Sequence, residues 1–222
     1  MQLRQFLKGI ADAIRGKEGS TASIPAADFE SRITNLPSGE DEIDGLVEGT
    51  FTEFVNDRVT FIKPYLFCMS MESYNSSLES VRCANAERIG TGAFYGCSRI
   101  FGLYLPKVYY IGREAFLNAF LASSVREFVL PSCVAVDQYA FLHGGIEILY
   151  IKGFSTERNG IIQTSAFEDS DLTHLVIQSE EGVPYLVNAD AFERTPIAEG
   201  TGYIYVPRSL VNDYKTSEGW ST

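Results

Sequence analysis

The sequence predicts an α+β, mostly β fold: a solenoid of about six turns with a small helical hairpin before it and a short capping helix after it. Two observations lead there. An Ala-Phe pair recurs at Ala93-Phe94, Ala115-Phe116, Ala140-Phe141, Ala166-Phe167 and Ala191-Phe192, with a degenerate copy at Leu66-Phe67, so that the phenylalanines follow one another at intervals of 22 to 27 residues. A near-fixed period in the twenties marks a solenoid. Each pair is also followed by a set of spaced apolar residues: Leu78/Val81/Cys83, Ile100/Leu103/Leu105, Val125/Phe128/Leu130, Ile146/Leu149/Ile151, Leu172/Leu175/Ile177 and, in the last turn, Ile204 and Val206. One such unit cannot bury its apolar face alone, so the units stack and share a core. The spaced apolar residues point into the stack and those between them point out. Alanine beside phenylalanine leaves room for one large ring per layer.

Residues 1–37 precede the repeats. Leu3, Phe6, Leu7, Ile10, Ala13 and Ile14 fall on one helical face, with Arg4, Lys8, Asp12 and Arg15 opposite, and Gly16 stops the helix. Pro25 opens a second helix in which Phe29, Ile33 and Leu36 share a face. A hairpin of this size is too small to be stable alone. Its apolar faces either cap the solenoid or dock on a partner or a second copy. The acidic linker of residues 38–45, with Glu40, Asp41, Glu42 and Asp44, favours docking, because a cap joins its solenoid without a solvated spacer. Leu3, Phe6, Leu7, Ile10, Ile14, Phe29 and Ile33 are then the docking residues.

The solenoid is expected over residues 46–207. Leu46–Val55 alternates and Asn56-Asp57 signals a turn before Val59–Ile62, which predicts an opening hairpin that shields the first edge. Ser70–Ser77 and Gly153–Gly160 are polar insertions expected as loops, where recognition can be placed on a rigid scaffold. Gly202–Pro207 is a last strand, and Ser209 is placed to N-cap a helix carrying Leu210, Val211 and Tyr214. With Trp220, residues 208–222 form a C-terminal cap, and no separate effector domain is expected to follow.

The unit Ile89-Gly-x-x-Ala93-Phe94-x-x-Cys97-x-x-Ile100, with Leu105-Pro106 and Leu130-Pro131 closing the strands, resembles the BspA-type leucine-rich repeat from about Val59 to Pro207. The resemblance implies short strands on one face with irregular segments behind, and brings no catalytic residues. The run Leu7–Arg15, then Gly19-Ser-Thr, then Ile24–Ile33, resembles a short module at the start of tail and other structural proteins of phages infecting Gram-positive bacteria. It implies a virion component. The chain is then expected to assemble in the host cytoplasm and to sit in the particle as a homo-oligomer among other virion proteins.

A formal net charge of −11 argues against a nucleic-acid partner, and the acid peaks in residues 37–53, which carry six acids and no base. The N-terminus lacks the apolar core of a secretory signal, and no run reaches membrane-spanning length, so membrane insertion is not expected. Cys68, Cys83, Cys97 and Cys133 are spaced by 15, 14 and 36 residues, which fits neither a zinc ribbon nor a redox pair, and they are expected as buried thiols. His143 and His174 have no partner at metal-ligand spacing. Ser170, Asp171 and His174 lie close in sequence, but a triad needs a base oriented in a cleft. No metal, cofactor or catalytic residue is assigned, and the chain is expected not to be an enzyme.

A binding surface is better supported. The outward positions between the last two core residues read Arg82, Tyr104, Val129, Tyr150, Val176 and Tyr205, which stacking aligns into one ladder flanked by Phe101, Arg126 and Glu147. A solvated sheet face ordinarily carries polar residues. Arg82, Tyr104, Tyr150, Tyr205, Phe101 and Arg126 are therefore the candidate partner-binding residues, for a host-surface glycan or protein. The expected function is adhesion from a phage tail. Capsid decoration or a head fibre, and a bacterial surface adhesin, are the alternatives.

Overall fold

The computed structural model describes residues 51–70 and 73–220, all within one compact unit, Gly45–Thr222. The expected helical hairpin, the acidic linker and the first residues of the expected opening strand lie outside the described residues.

The described chain is a mostly β solenoid of about six turns. One side is built from β1 (Glu53–Val55), β5 (Ser80–Arg82), β7 (Gly102–Tyr104), β9 (Glu127–Leu130), β11 (Ile148–Ile151), β13 (His174–Ile177) and β15 (Tyr203–Tyr205). The other is a ladder of two-residue strands, β2 (Phe61–Ile62), β6 (Arg88–Ile89), β8 (Tyr110–Ile111), β10 (Ala135–Val136), β12 (Ile161–Ile162) and β14 (Tyr185–Leu186), in that spatial order. Every pairing in these ladders is parallel. The second ladder corrects the expectation of irregular segments behind the main strands.

The expected opening hairpin is also corrected. β1 pairs with β5 and β2 pairs with β6, each a full turn ahead, so Phe51–Ile62 belongs to the first turn of the solenoid. Alternation alone cannot distinguish a strand paired to its sequence neighbour from one paired a turn away. Antiparallel pairing occurs in the 70–77 insertion, where β3 (Cys68–Ser70) and β4 (Ser73–Tyr74) make a small hairpin.

The Ala-Phe pairs form the core as expected. The five alanines are fully buried and the phenylalanines nearly so. Their rings make a column, Phe67, Phe94, Phe116, Phe141, Phe167 and Phe192, with successive centroids 5.0–5.5 Å apart and planes within 16° of parallel. Such pairs contribute about 0.5–1.5 kcal/mol each beyond the area they bury. Ile62, Ile89, Ile111, Val136, Ile162 and Leu186 close the column from one ladder, and Val81, Phe128, Leu149 and Leu175 from the other.

A local device holds each ring in place. The residues two before and two after the phenylalanine repeatedly take positive φ: Gly92 and Gly96 around Phe94, Glu114 and Asn118 around Phe116, Tyr139 and His143 around Phe141, Ser165 and Asp169 around Phe167. Each non-glycine costs roughly 1–2 kcal/mol in this region. Hydrogen bonds to the next turn offset the cost, with the amides of Glu114, Phe116 and Asn118 donating to the carbonyls of Gln138, Ala140 and Leu142 at 3.2, 2.7 and 3.1 Å.

One turn departs from the pattern. Between Phe116 and Phe128 lie more residues than between Phe94 and Leu103 or Phe141 and Leu149, and β7 and β9 belong to different sheets. Phe120, at φ 65°, turns inward early and packs 5.3 Å from Phe116 and 4.5 Å from Phe128. It takes the space expected for Val125, which is 42% exposed.

At the far end a 3-10 turn (Arg208–Leu210) leads into helix α1 (Val211–Thr216). Ser209 lies inside the turn and is not an N-cap; Pro207, with φ already set, begins the turn before it. Tyr214 is buried, and Trp220 meets its ring edge-on at 5.1 Å, lies 6.3 Å from Phe192, and donates Nε1–H to the Pro184 carbonyl at 2.8 Å. These contacts cover the last ring of the column.

Candidate binding face

Parallel register puts equivalent residues of successive turns side by side. On β9, β11, β13 and β15 this gives two outward rows, Glu127, Ile148, His174, Tyr203 and Val129, Tyr150, Val176, Tyr205. The rows form a panel of aromatic and β-branched side chains where a solvated face ordinarily carries polar ones. Tyr203, Tyr205 and Val129 are 59%, 49% and 49% exposed. His174 stacks on Tyr205 at 5.7 Å, lies 5.9 Å from Tyr203, and its Nδ1 is 2.8 Å from Thr173 Oγ1. The charge of Glu127 beside it, with partial burial and a hydrogen bond from its own hydroxyl to that carboxylate, pushes the Tyr150 hydroxyl above its usual range.

The expected single ladder is divided. Arg82 and Tyr104 stand in a second panel with Val55. The ladder breaks between Tyr104 and Val129 because the longer Phe116–Phe128 segment interrupts strand pairing there. In the second panel the Arg82 guanidinium lies 4.5 Å over the Tyr104 ring and 3.4 Å from Asp57. Such a cation–π contact is worth about 0.5–1 kcal/mol at an exposed site. Phe101 is exposed just before β7. Arg126 is committed to Glu147 and Asp171 at 3.1 and 2.9 Å, forming a charged border to the larger panel.

Ile148, His174 and Tyr203 were missed in the sequence reading, which followed one outward row. The signal was available, since in a strand the residue two places earlier shares the same face. The opposite ladder carries a further aromatic-cation arrangement. Arg88 sits 5.8 Å from the Phe61 ring and 5.0 Å from the Tyr110 ring, and the Tyr110 hydroxyl donates to Asp137 at 2.6 Å. Two-residue strands carry no periodicity from which this could be read.

The remaining polar candidates have separate partners. Ser170 Oγ donates to the Phe167 carbonyl, Asp171 pairs with Arg126, and His174 meets Thr173, so the three do not assemble a relay. His143 pairs with Asp169 at 2.9 Å. Among the described residues no group of three or more His, Cys, Asp or Glu is placed to hold a metal ion, and no helix is long and apolar enough to cross a membrane. The four cysteines are buried thiols. Burial raises Cys83 to about 11 and Cys133 to about 12.

A parallel solenoid that presents extended outward strand faces belongs to the class of stacked-repeat scaffolds, whose long surfaces are suited to binding. The model of the BspA type leucine rich repeat region matches residues 60–197 in six copies, and the chain belongs to that family. No curated protein and no solved structure matches it. A repeat domain of this kind points to protein–protein contact or surface adhesion, and the scaffold is typically non-enzymatic.

Proposed function

We propose that the chain is an adhesion protein of a bacteriophage virion that contacts a host-surface glycan or protein through the strand face. The observation that carries the binding part is the two-row panel from Glu127/Val129 to Tyr203/Tyr205, whose outward side chains stand in strict register. Tyrosine suits both ligand classes, since its ring packs on apolar surface while its hydroxyl hydrogen-bonds. The virion part rests on the Leu7–Arg15 and Ile24–Ile33 skeleton, with Leu3, Phe6, Leu7, Ile10, Ile14, Phe29 and Ile33 docking to the particle.

Two measurements test this reading. A Tyr150→Ser/Tyr205→Ser double variant should bind host cells at least tenfold more weakly, the loss of about 1.4 kcal/mol, with its melting temperature unmoved. Binding that persists undiminished removes the face from the function. Antibody against residues 45–222 should label intact particles at the tail in electron micrographs. Label over the head would assign decoration instead, and unlabelled particles would remove the virion role.

A further inference from the structure

The Gly153–Gly160 loop is pinched at its neck: a Cβ on Gly160 would lie 1.9 Å from the Gly153 carbonyl oxygen. Within it the amides of Arg158 and Asn159 both donate to the Ser155 carbonyl. It is a compact loop whose ends meet, a form that often carries function. Glu181, from the next turn, clamps it: the carboxylate accepts from the Thr156 amide at 2.9 Å and pairs with Lys152 Nζ at 3.0 Å. Between them lies a polar hollow of about 210 Å³, lined by Ser132, Lys152, Ser155, Thr156, Arg158 and Glu181 among others. The Arg158 guanidinium lies 4.3 Å over the Tyr109 ring, which fixes its plane.

We infer that this hollow binds one uncharged sugar ring of hexose size through neighbouring hydroxyls. Its volume lies below the roughly 300–1,000 Å³ of pockets that take drug-sized ligands, which limits it to a small one. Lys152 and Arg158 on its wall are balanced by Glu157 and Glu181, so an ion of either sign meets a like charge as well as an opposite one. The hydrogen-bonding inventory is mixed. Glu181 keeps part of its acceptor capacity, Lys152 keeps donors beyond its bond to Glu181, and Arg158 keeps most of its five. A hydroxyl, which both donates and accepts, can satisfy both kinds. Because Thr156 and Lys152 already hold Glu181, little loop ordering opposes binding. The inference stands on this loop alone and not on the strand face.

The test is amide NMR of the full chain titrated with the methyl α-D-pyranosides of glucose, galactose and mannose. Saturable shifts at Thr156, Arg158 and Glu181 are expected with a Kd of about 1–10 mM. Arg158→Ala and Glu181→Gln should each weaken binding about tenfold, and Arg158→Ala should leave the loop's other resonances in place. Tyr150→Ser should change none of these shifts. The proposal is overturned if none of the three glycosides gives a saturable response there, if Arg158→Ala binds as well as the parent, if Tyr150→Ser abolishes the response, or if sodium glucuronate or phosphate binds more tightly than all three.

Discussion

The rings of Phe94 and Phe116 lie 5.0 Å apart and within 6° of parallel, although a whole turn of the solenoid separates them in sequence. Each ring is at once the floor of one layer and the ceiling of the next, so damage to one is shared by two interfaces.

Phe116 touches three other rings, those of Phe94, Phe120 and Phe141. Phe116→Ala should cost about 3–5 kcal/mol in urea denaturation, the range for large aromatic truncations in a core. A loss under about 1 kcal/mol would mean that the column closes over the gap.

Trp220→Ala removes both the hydrogen bond to Pro184 and the cover over Phe192. Because Trp220 is only partly buried, a loss of about 2 kcal/mol is expected, below the full-core value. The melting temperature should fall without loss of β signal in circular dichroism.

Two glycine replacements separate crowding from backbone strain. Gly200 has φ +78° and open space around it, so Gly200→Ala should cost about 1 kcal/mol from strain alone. Gly160→Ala drives a methyl into the backbone of Gly153 and should cost about 2–3 kcal/mol, with lost amide protection at Thr156 and Asn159. Equal effects in the two variants would show that the loop neck opens freely.

Burial holds the thiols of Cys83, Cys97 and Cys133 protonated. At pH 8 no cysteine should react with a thiol-specific disulfide reagent in the folded chain, and four should react in denaturant. With Cys83 raised to about 11, and Cys133 and Tyr110 to about 12, the folded state binds these protons more tightly than the unfolded. Their contribution to stability is present below the ordinary thiol and phenol values and is lost as pH rises towards 12. Stability measured across that alkaline range should decline; a flat profile would contradict the burial.

Glu181 titrates in the opposite sense. The Thr156 amide and Lys152 hold its carboxyl below the usual carboxylate range. Its contribution is therefore present above the unfolded value and lost as pH falls through the lowered folded value. The Thr156 amide resonance should report a midpoint below that of an ordinary glutamate, and Lys152→Ala should move that midpoint upward.

Much of this fold was legible because its strongest signal is repetitive. Ala93-Phe94 and its relatives bury where their spacing places them. Val125 was misread because extra residues in that turn let Phe120 reach the core first, and a spacing rule cannot choose between two apolar residues competing for one site. Phe54 was read in a hairpin because its strand's partner lies a turn ahead. The left-handed residues Glu114, Tyr139 and Ser165 carry no glycine to announce them. Of the strand face, Tyr150 and Tyr205 were legible from alternation. Its division from Tyr104 was not, since one long turn decides it, nor was the Glu181 clamp that shapes the Gly153 loop.

The near-constant step of the phenylalanine column makes reach a quantity separable from recognition. A duplicated unit entering between Phe141 and Phe167 would find matching rings above and below it, and matching strands on both sides. The rod would lengthen by one layer while Tyr203, Tyr205 and the Trp220 cover kept their local surroundings. Unequal recombination within such a gene could therefore change the number of layers while leaving both ends of the solenoid intact, with the new row entering the strand panel between Tyr150 and Val176.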